Sequence, residues 1–141
     1  MHLIELIEKN SIVAVDLETT GLNCGKDYII EMGAVRIEGW KVIRTQEGGT
    51  VIEGANLTEN FTTFVSCLVK LPQSIVNLTG IRDEDLDSAP AIDVALKQFK
   101  AFIGNDIIVG HNIEFDYGFL NEHGRRCGIS FGNRRLDTVA I

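Results

Sequence analysis

The sequence predicts a single α/β domain with a mixed central sheet flanked by helices. A chain of 141 residues has the length of one ordinary domain. Its first half carries short apolar and β-branched runs that favour strands, and its second half alternates helical patterns with one buried strand. Strands followed by a helix–strand–helix unit require both antiparallel and parallel pairing, so we expect a mixed sheet.

The strand predictions begin at Ile12. Residues 12–15 form a continuous apolar run, which is typical of a strand covered on both faces. Residues 28–38, YIIEMGAVRIE, predict a longer second strand, and EGWKVI predicts a turn into a third. Residues 45–60 are rich in Gly, Asn and Thr and lack a clean period, so we expect a long exposed loop, with residues 46–59 an insertion. FTTFVS then resumes the sheet.

Two helices are predicted after Pro72. SIVNLTG predicts a short helix that Ser74 caps and Gly80 ends. A longer helix is predicted after Ser88, which can cap it, and Gly104 ends it. Its apolar stripe comprises Ile92, Ala95, Leu96, Phe99, Phe102 and Ile103.

The residues DIIVG predict a buried strand that leads directly into a third helix. Asn112 is predicted to cap this helix, and Gly124 to end it. Phe115, Phe119 and Leu120 form its apolar face.

Composition restricts the class of protein. No stretch approaches the roughly 18 apolar residues of a membrane span, and MHLIELIEKN carries acids where a signal peptide carries basic residues, so we expect a cytoplasmic protein without membrane contact. Cys24, Cys67 and Cys127 match neither a CxxC spacing nor a disulfide framework. The formal net charge of −7 argues against broad attraction to duplex nucleic acid. Bound divalent cations would still invert the local charge of an acidic site.

Two carboxylates end the first predicted strand. Asp16 and Glu18 share one face, with Cα atoms about 7 Å apart, because side chains alternate along a strand. Both can therefore reach one cation, and Mg²⁺ commonly binds one or two carboxylates together with water and phosphate. A DxE pair alone is more often a polar strand end than a metal site, so the pair by itself leaves both interpretations open.

Four linked motifs favour a metal site over a polar strand end. DLETTGL, IIEMGAVRI, LTGIRDEDLDSAP and VGHNIEFDYGFL occur in this order. Together they resemble the DEDD superfamily of 3′-to-5′ exonucleases, and among these the proofreading domains of bacterial DNA polymerase III, whether separate subunits or parts of the polymerase chain. The resemblance covers nearly the whole chain apart from residues 45–60. It implies an RNase H-like three-layer fold.

The resemblance also assigns roles to residues. Asp16, Glu18 and Asp116 stand where the family has catalytic acids that bind two Mg²⁺ or Mn²⁺ ions around the scissile phosphate. The substrate-binding residues that it implies are Thr19, Thr20, Gly21, Leu22, Asn112 and Phe115. Leu22 resembles the wedge between the last two bases and Phe115 a base-stacking residue, although core packing explains Phe115 at least as well.

The sequence departs from the family at its end. The DEDDh branch has a later HxAxxD motif with a general-base histidine and a fourth acid, whereas this chain stops at Ile141, and Asp137 is not that fourth acid. The DEDDy branch, with a tyrosine base, therefore stays open. We expect residues 1–141 to be one exonuclease-like domain truncated at its C-terminus, lacking its last helices and nearly inactive. Its uncovered sheet face would favour self-association.

The function that follows is metal-dependent 3′-to-5′ hydrolysis of DNA ends. The expected partners are a single-stranded DNA 3′ end and a DNA polymerase subunit or domain, which implies a proofreading role. Two alternatives stay open from the sequence. One is an RNA-degrading, oligoribonuclease-like relative, and the other is a module that binds metal and single strands without catalysis.

Overall fold

The computed structural model describes residues 11–39, 41–44, 46–53 and 56–138. Along these ranges the chain forms β1 (Ile12–Thr19), β2 (Ile29–Glu38), β3 (Lys41–Arg44), β4 (Thr50–Glu53), β5 (Asn56–Phe64), α1 (Gln73–Thr79), α2 (Asp83–Leu86), α3 (Ile92–Ile103), β6 (Ile107–Gly110), α4 (Ile113–Cys127) and β7 (Arg135–Asp137). The segment MHLIELIEKN, Trp40 in the predicted turn, residues 45, 54 and 55 of the predicted loop, and residues 139–141 lie outside the described residues.

The central sheet has the order β5-β2-β1-β6-β7. β1 pairs antiparallel with β2, and β2 antiparallel with β5, whereas β1 and β6, and β6 and β7, pair parallel. β3 and β4 form a separate two-stranded hairpin. The predicted mixed sheet is therefore confirmed.

Helices α3 and α4 pack against this sheet. Val13, Val15 and Leu17 of β1 are buried in the larger core, which α3 and α4 cover through residues such as Phe99 and Phe119. Ile30 of β2 packs in a separate cluster with Leu71, Ile81 and Leu86, from the α1–α2 region. The sheet is thus flanked by helices, as the sequence predicts. Among the described helices, none has the length and apolar character that crossing a membrane requires.

The segment 46–59 differs from the continuous loop that the sequence predicts. β4 pairs with β3, and the turn between them contains Gly48 with a φ of 83°. β5 already begins at Asn56. Residues 56–60 are all exposed, so they show no hydrophobic alternation, and backbone pairing with β2 holds them in the sheet. The proposal that the segment is an insertion stays a prediction.

Two predicted helix starts are wrong, whereas both predicted ends are confirmed. Ser74 lies inside α1, whose N-cap is Pro72. Ser88 precedes α3, whose N-cap is Ala91. The N–H of Ser66 donates to the carbonyl of Pro90 at 2.8 Å, which ties the residues before α3 to the end of β5 and delays the helix.

The helix ends depend on glycines. Gly80, with a φ of 78°, and Gly104, with a φ of 52°, follow α1 and α3. In the predicted stripe of α3, Ala95, Leu96, Phe99 and Ile103 are buried, and Ile92 and Phe102 are half-buried against the core. The sequence did not predict α2 or β7.

Gly124 does not end α4, contrary to the prediction. The helix continues to Cys127, and Gly128, with a φ of 74°, is its C-cap. Gly124 is buried, and a Cβ atom there would lie 2.5 Å from the carbonyl oxygen of Ile129 and 3.1 Å from the ring of Phe131. The glycine therefore permits close approach of the chain that follows the helix.

Substitution of Gly124 by alanine tests this packing. Gly124→Ala should lower the free energy of unfolding by about 1–3 kcal/mol, because the added methyl group overpacks a contact made partly by backbone. Gly118→Ala is the matched control on the same helix, since its nearest heavy atom, Cys24 Sγ, would lie 4.0 Å away. That control should be neutral or up to about 1 kcal/mol more stable. Equal urea midpoints for the two variants would contradict the packing argument.

Candidate functional site

The three predicted metal-binding acids lie at one end of the sheet. Asp16 and Glu18 are near the end of β1, on the face opposite to the buried Val15 and Leu17. Asp116 is in the first turn of α4, which follows β6. Because β1 and β6 run parallel, the end of β1 and the start of α4 meet at the same edge of the sheet.

The acids interact electrostatically. Burial, followed by the negative charges of Asp16 and Glu18, raises the pKa of Asp116 to about 7, against the opposing effect of a hydrogen bond from the backbone N–H of Leu17. Burial also raises the pKa of Glu18, with added contributions from Asp16 and Glu31. The negative charge of Asp16 thus raises the pKa of both Glu18 and Asp116, and a bound cation would offset that charge.

The donor chemistry fits a hard divalent cation. All the candidate ligands are carboxylate oxygens, which Mg²⁺ and Mn²⁺ prefer, and Asp116 keeps a raised pKa in a buried position that a cation would relieve. Within the described ranges, no three His, Cys, Asp or Glu side chains already form a metal-binding group, so the three acids would have to draw closer together around a cation.

A fourth carboxylate, Glu31, was missed by the sequence analysis. It lies on β2 directly opposite Glu18 in the antiparallel register. Burial raises its pKa first, and the charge of Asp16 raises it further. The motif IIEMGAVRI contains this residue, but pattern alone did not place it beside Glu18, because that placement depends on the strand register.

The loop after β1 carries four predicted substrate contacts. Leu22 is 87% exposed, so its side chain is free to meet a ligand. Thr20 is instead buried, and its hydroxyl donates to Asp27 Oδ1 at 3.2 Å. The Thr19 hydroxyl donates to the carbonyl of Gly21 at 2.7 Å. The two threonine side chains therefore brace the loop, and their contact with substrate stays a prediction.

The start of α4 corrects the predicted role of Asn112. Asn112 occupies the N-cap position in a left-handed conformation, with a φ of 62°, but its side chain makes no capping hydrogen bond. The Asp137 carboxylate accepts from the N–H of Asn112 at 3.0 Å and of Ile113 at 3.3 Å. Asp137 of β7 thus caps the helix that carries Asp116. The exposed Asn112 side chain keeps its predicted substrate contact as an open proposal.

Phe115 packs mainly inward. Its ring centroid lies 5.0 Å from that of Phe119, and the side chain is half-buried against the larger core. This supports the core role that the sequence allowed. Base stacking by the remaining exposed part of the ring stays a prediction.

The resemblance to DEDD exonucleases implied an α/β domain of this topology. It also implied acids at the end of the central strand β1 and at the start of helix α4. The exonuclease family model (RNase_T) matches residues 13–141. The chain belongs to this family, and the RNase H-like fold is confirmed. Exonucleases of this family generally use divalent metal ions.

The curated relatives are polymerase chains. The chain is 37% identical over 154 residues to the PolC-type DNA polymerase III of Bacillus subtilis (strain 168), covering 95% of this chain and 10% of the relative. It is 36% identical over 134 residues to the PolC-type enzyme of Oceanobacillus iheyensis, covering 94% and 8%. The chain therefore spans about a tenth or less of the length of these relatives.

Solved structures of exonuclease I share the fold. The complex of E. coli exonuclease I with a 5cy-dA13 oligonucleotide superposes with a TM-score of 0.70 at 15% identity, covering 92% of this chain and 28% of that one. The zinc-bound form of the E. coli enzyme with single-stranded DNA gives a TM-score of 0.69 at 15% identity, with the same coverage.

The raised pKa of Asp116 predicts how stability depends on pH without metal. The folded carboxyl keeps its proton up to about pH 7, whereas the unfolded one loses it near its ordinary pKa of 3.8. Between these values the folded state binds more protons, so the free energy of unfolding should fall as the pH rises. Asp116→Asn should flatten this slope in urea titrations with EDTA. Asp93→Asn, an exposed acid of α3, should keep it; equal slopes in all three proteins would contradict the assignment.

Capping by Asp137 predicts a stability difference at the start of α4. Asp137→Ala should lower the free energy of unfolding by about 0.5–2 kcal/mol, because two N–H groups lose their acceptor. Asn112→Gly is the control, since glycine adopts the left-handed backbone and no capping bond is lost. Thermal unfolding should show the larger loss for Asp137→Ala. If Asp137→Ala is no less stable than Asn112→Gly, Asp137 does not cap α4.

Proposed function

We propose that this chain is a 3′-to-5′ exonuclease domain that removes nucleotides from DNA 3′ ends and serves proofreading by a PolC-type polymerase. The observation that carries the proposal is that Asp16 and Glu18 of β1 and the buried Asp116 of α4 lie at the same edge of the sheet, where the charge of Asp16 raises the pKa of the other two carboxyls. A chain of the exonuclease family with this acidic end has the donor set that phosphodiester hydrolysis requires.

The residues that would hold two Mg²⁺ or Mn²⁺ ions are Asp16, Glu18 and Asp116. When bound, such ions supply an activated water and stabilise the charge of the departing 3′-oxygen. Asp116 gives up its proton as a cation binds, because cation and proton compete for the same buried carboxylate. The N–H of Leu17 holds Asp116 in place and favours its charged form.

The loop after β1 would bind the terminal nucleotide. Leu22 offers an exposed apolar side chain for the last base, and the backbone at Gly21 can approach the strand closely. Asn112, at the start of α4, is exposed on the same helix as Asp116. The half-buried Phe115 would add a stacking surface.

Several findings favour DNA and a polymerase partner. The curated relatives are DNA polymerase III chains, and exonuclease I is described in complex with DNA oligonucleotides. We therefore favour single-stranded DNA over RNA as substrate. Self-association also stays a prediction, and the exposed Leu57 on β5, at one end of the described sheet, is the feature that would favour it.

A single-stranded DNA oligomer labelled at its 5′ end tests the proposal. With Mn²⁺ and the protein in excess over the oligomer, a slow ladder of products that shorten stepwise and keep the label should form, as expected of a nearly inactive chain, and Asp16→Ala should give none. The Mn²⁺ affinity of Asp16→Ala should fall by more than the roughly 10- to 100-fold that is typical of losing a group that only hydrogen-bonds to a metal ligand. The free energy of unfolding of this variant should not fall. Asp93→Ala, which removes an exposed acid of α3, should match the unmodified protein.

The other outcomes identify the alternatives. Faster shortening of a matched RNA oligomer would support the oligoribonuclease-like function, and binding without shortening would support the silent module. Unchanged Mn²⁺ affinity in Asp16→Ala, measured by calorimetry, would contradict the assignment of the site.

A further inference from the structure

Residues 20–28 form a closed loop between β1 and β2. The N–H of Thr20 donates to the carbonyl of Tyr28 at 2.9 Å, and the N–H of Tyr28 donates back to the Thr20 hydroxyl at 2.9 Å. Within the loop, the N–H of Asp27 donates to the carbonyl of Asn23 at 2.7 Å. These bonds join the two ends of the loop and fix its path.

The carboxylate of Asp27 fills the interior of this loop. Oδ1 accepts from the Thr20 hydroxyl at 3.2 Å, and Oδ2 accepts from the N–H of Asn23 at 3.0 Å. A Cβ atom on Gly21 would collide with the same carboxylate. The chain between residues 20 and 23 therefore wraps around Asp27, and Gly21 permits the close approach.

Helix α4 holds the loop from the outside. Nε2 of the buried His123 lies 3.0 Å from the carbonyl oxygen of Asp27, so it carries the proton and donates. Its ring stacks on Phe119 at 5.9 Å. Nη2 of Arg126 donates to the carbonyl of Gly25 at 2.9 Å. The helix that carries Asp116 thus also fixes the loop that carries Leu22.

The side chain of Leu22 points away from these bracing contacts and into solvent. Its side chain is 87% exposed, although the loop backbone around it is tied down on both sides. A loop whose backbone is fixed before binding loses less conformational entropy when its side chains meet a ligand. The bracing therefore also fixes where the Leu22 backbone lies.

We propose that Asp27 is a positioning residue, which holds the 20–28 loop against His123 and Arg126 so that Leu22 meets the terminal base at a fixed distance from Asp16 and Glu18. The inference rests on the proposed function, because it assumes that a single strand enters at this edge. It assigns Asp27 no contact with metal or substrate. We expect its effect on substrate to pass mainly through Leu22, whose side chain is the exposed apolar one of this loop.

A double-mutant cycle tests this dependence. The affinity for a 5′-fluorescein single-stranded DNA oligomer is measured by anisotropy, with Ca²⁺ in place of Mn²⁺ to slow hydrolysis. Leu22→Ala and Asp27→Ala should each weaken binding by about fivefold or more, the scale of losing one contact with a base. The double variant should bind no more weakly than the single ones, because both remove the same contact.

Two controls separate positioning from general damage. Asp93→Ala removes an exposed acid elsewhere and should leave DNA affinity unchanged. The Mn²⁺ affinity of Asp27→Ala, measured by calorimetry, should equal that of the unmodified protein, which a collapsed site would not show. Where Asp27→Ala proves unstable, Asp27→Asn replaces it in the cycle, since the amide keeps one of the two acceptors and should show a smaller loss.

Each result decides between two claims. Multiplicative losses in the double variant, or DNA binding unaffected by either Asp27 substitution, would overturn the positioning role and leave the proposed function intact. Failure of the unmodified protein to bind the oligomer would overturn the proposed function and this inference with it. Losses that do not multiply, with Mn²⁺ affinity unchanged, support the inference.

Discussion

The register of β1 between β2 and β6 is the constraint on which both the core and the site depend. In this register Val13 and Leu17 enter the core that α3 and α4 cover, and Asp16 and Glu18 face the other way. A slip of one residue would bury the carboxylates and expose the apolar side chains. The same alternation that drives folding of this strand therefore also places the acids, and Glu31 follows from its pairing with Glu18.

Helix α4 connects the parts of the site, and it does so at an electrostatic cost. Its first turn holds Asp116, buried near other acids, and Asp137 of β7 adds another carboxylate at its N-terminus. A helix N-terminus favours negative charge, which offsets part of this cost. Two to three turns further along, His123 and Arg126 hold the loop after β1. Local conflicts of this kind are expected where a site, rather than stability, determines the residues.

Sequence patterns predicted the features that depend on neighbours along the chain. The alternation in β1 and the stripe of α3 follow from fixed local periods, so both were predicted correctly. The cap of α4 was not, because Asp137 lies 25 residues from Asn112 and meets it only through β7. The path of β5 was missed for a related reason, since backbone pairing rather than burial holds its exposed first residues. The role of Asp27 likewise required the packed loop.

The central claim is that a divalent cation binds among the carboxylates of Asp16, Glu18 and Asp116 and relieves their mutual repulsion. Crystals of the protein grown with Mn²⁺ and measured near the manganese absorption edge test it most directly. The account predicts anomalous density in contact with oxygens of all three carboxylates, at about the 2.0–2.2 Å that is typical of hard divalent ions of this size. Anomalous density only at other positions, or none beside Asp16, Glu18 and Asp116, would contradict this claim.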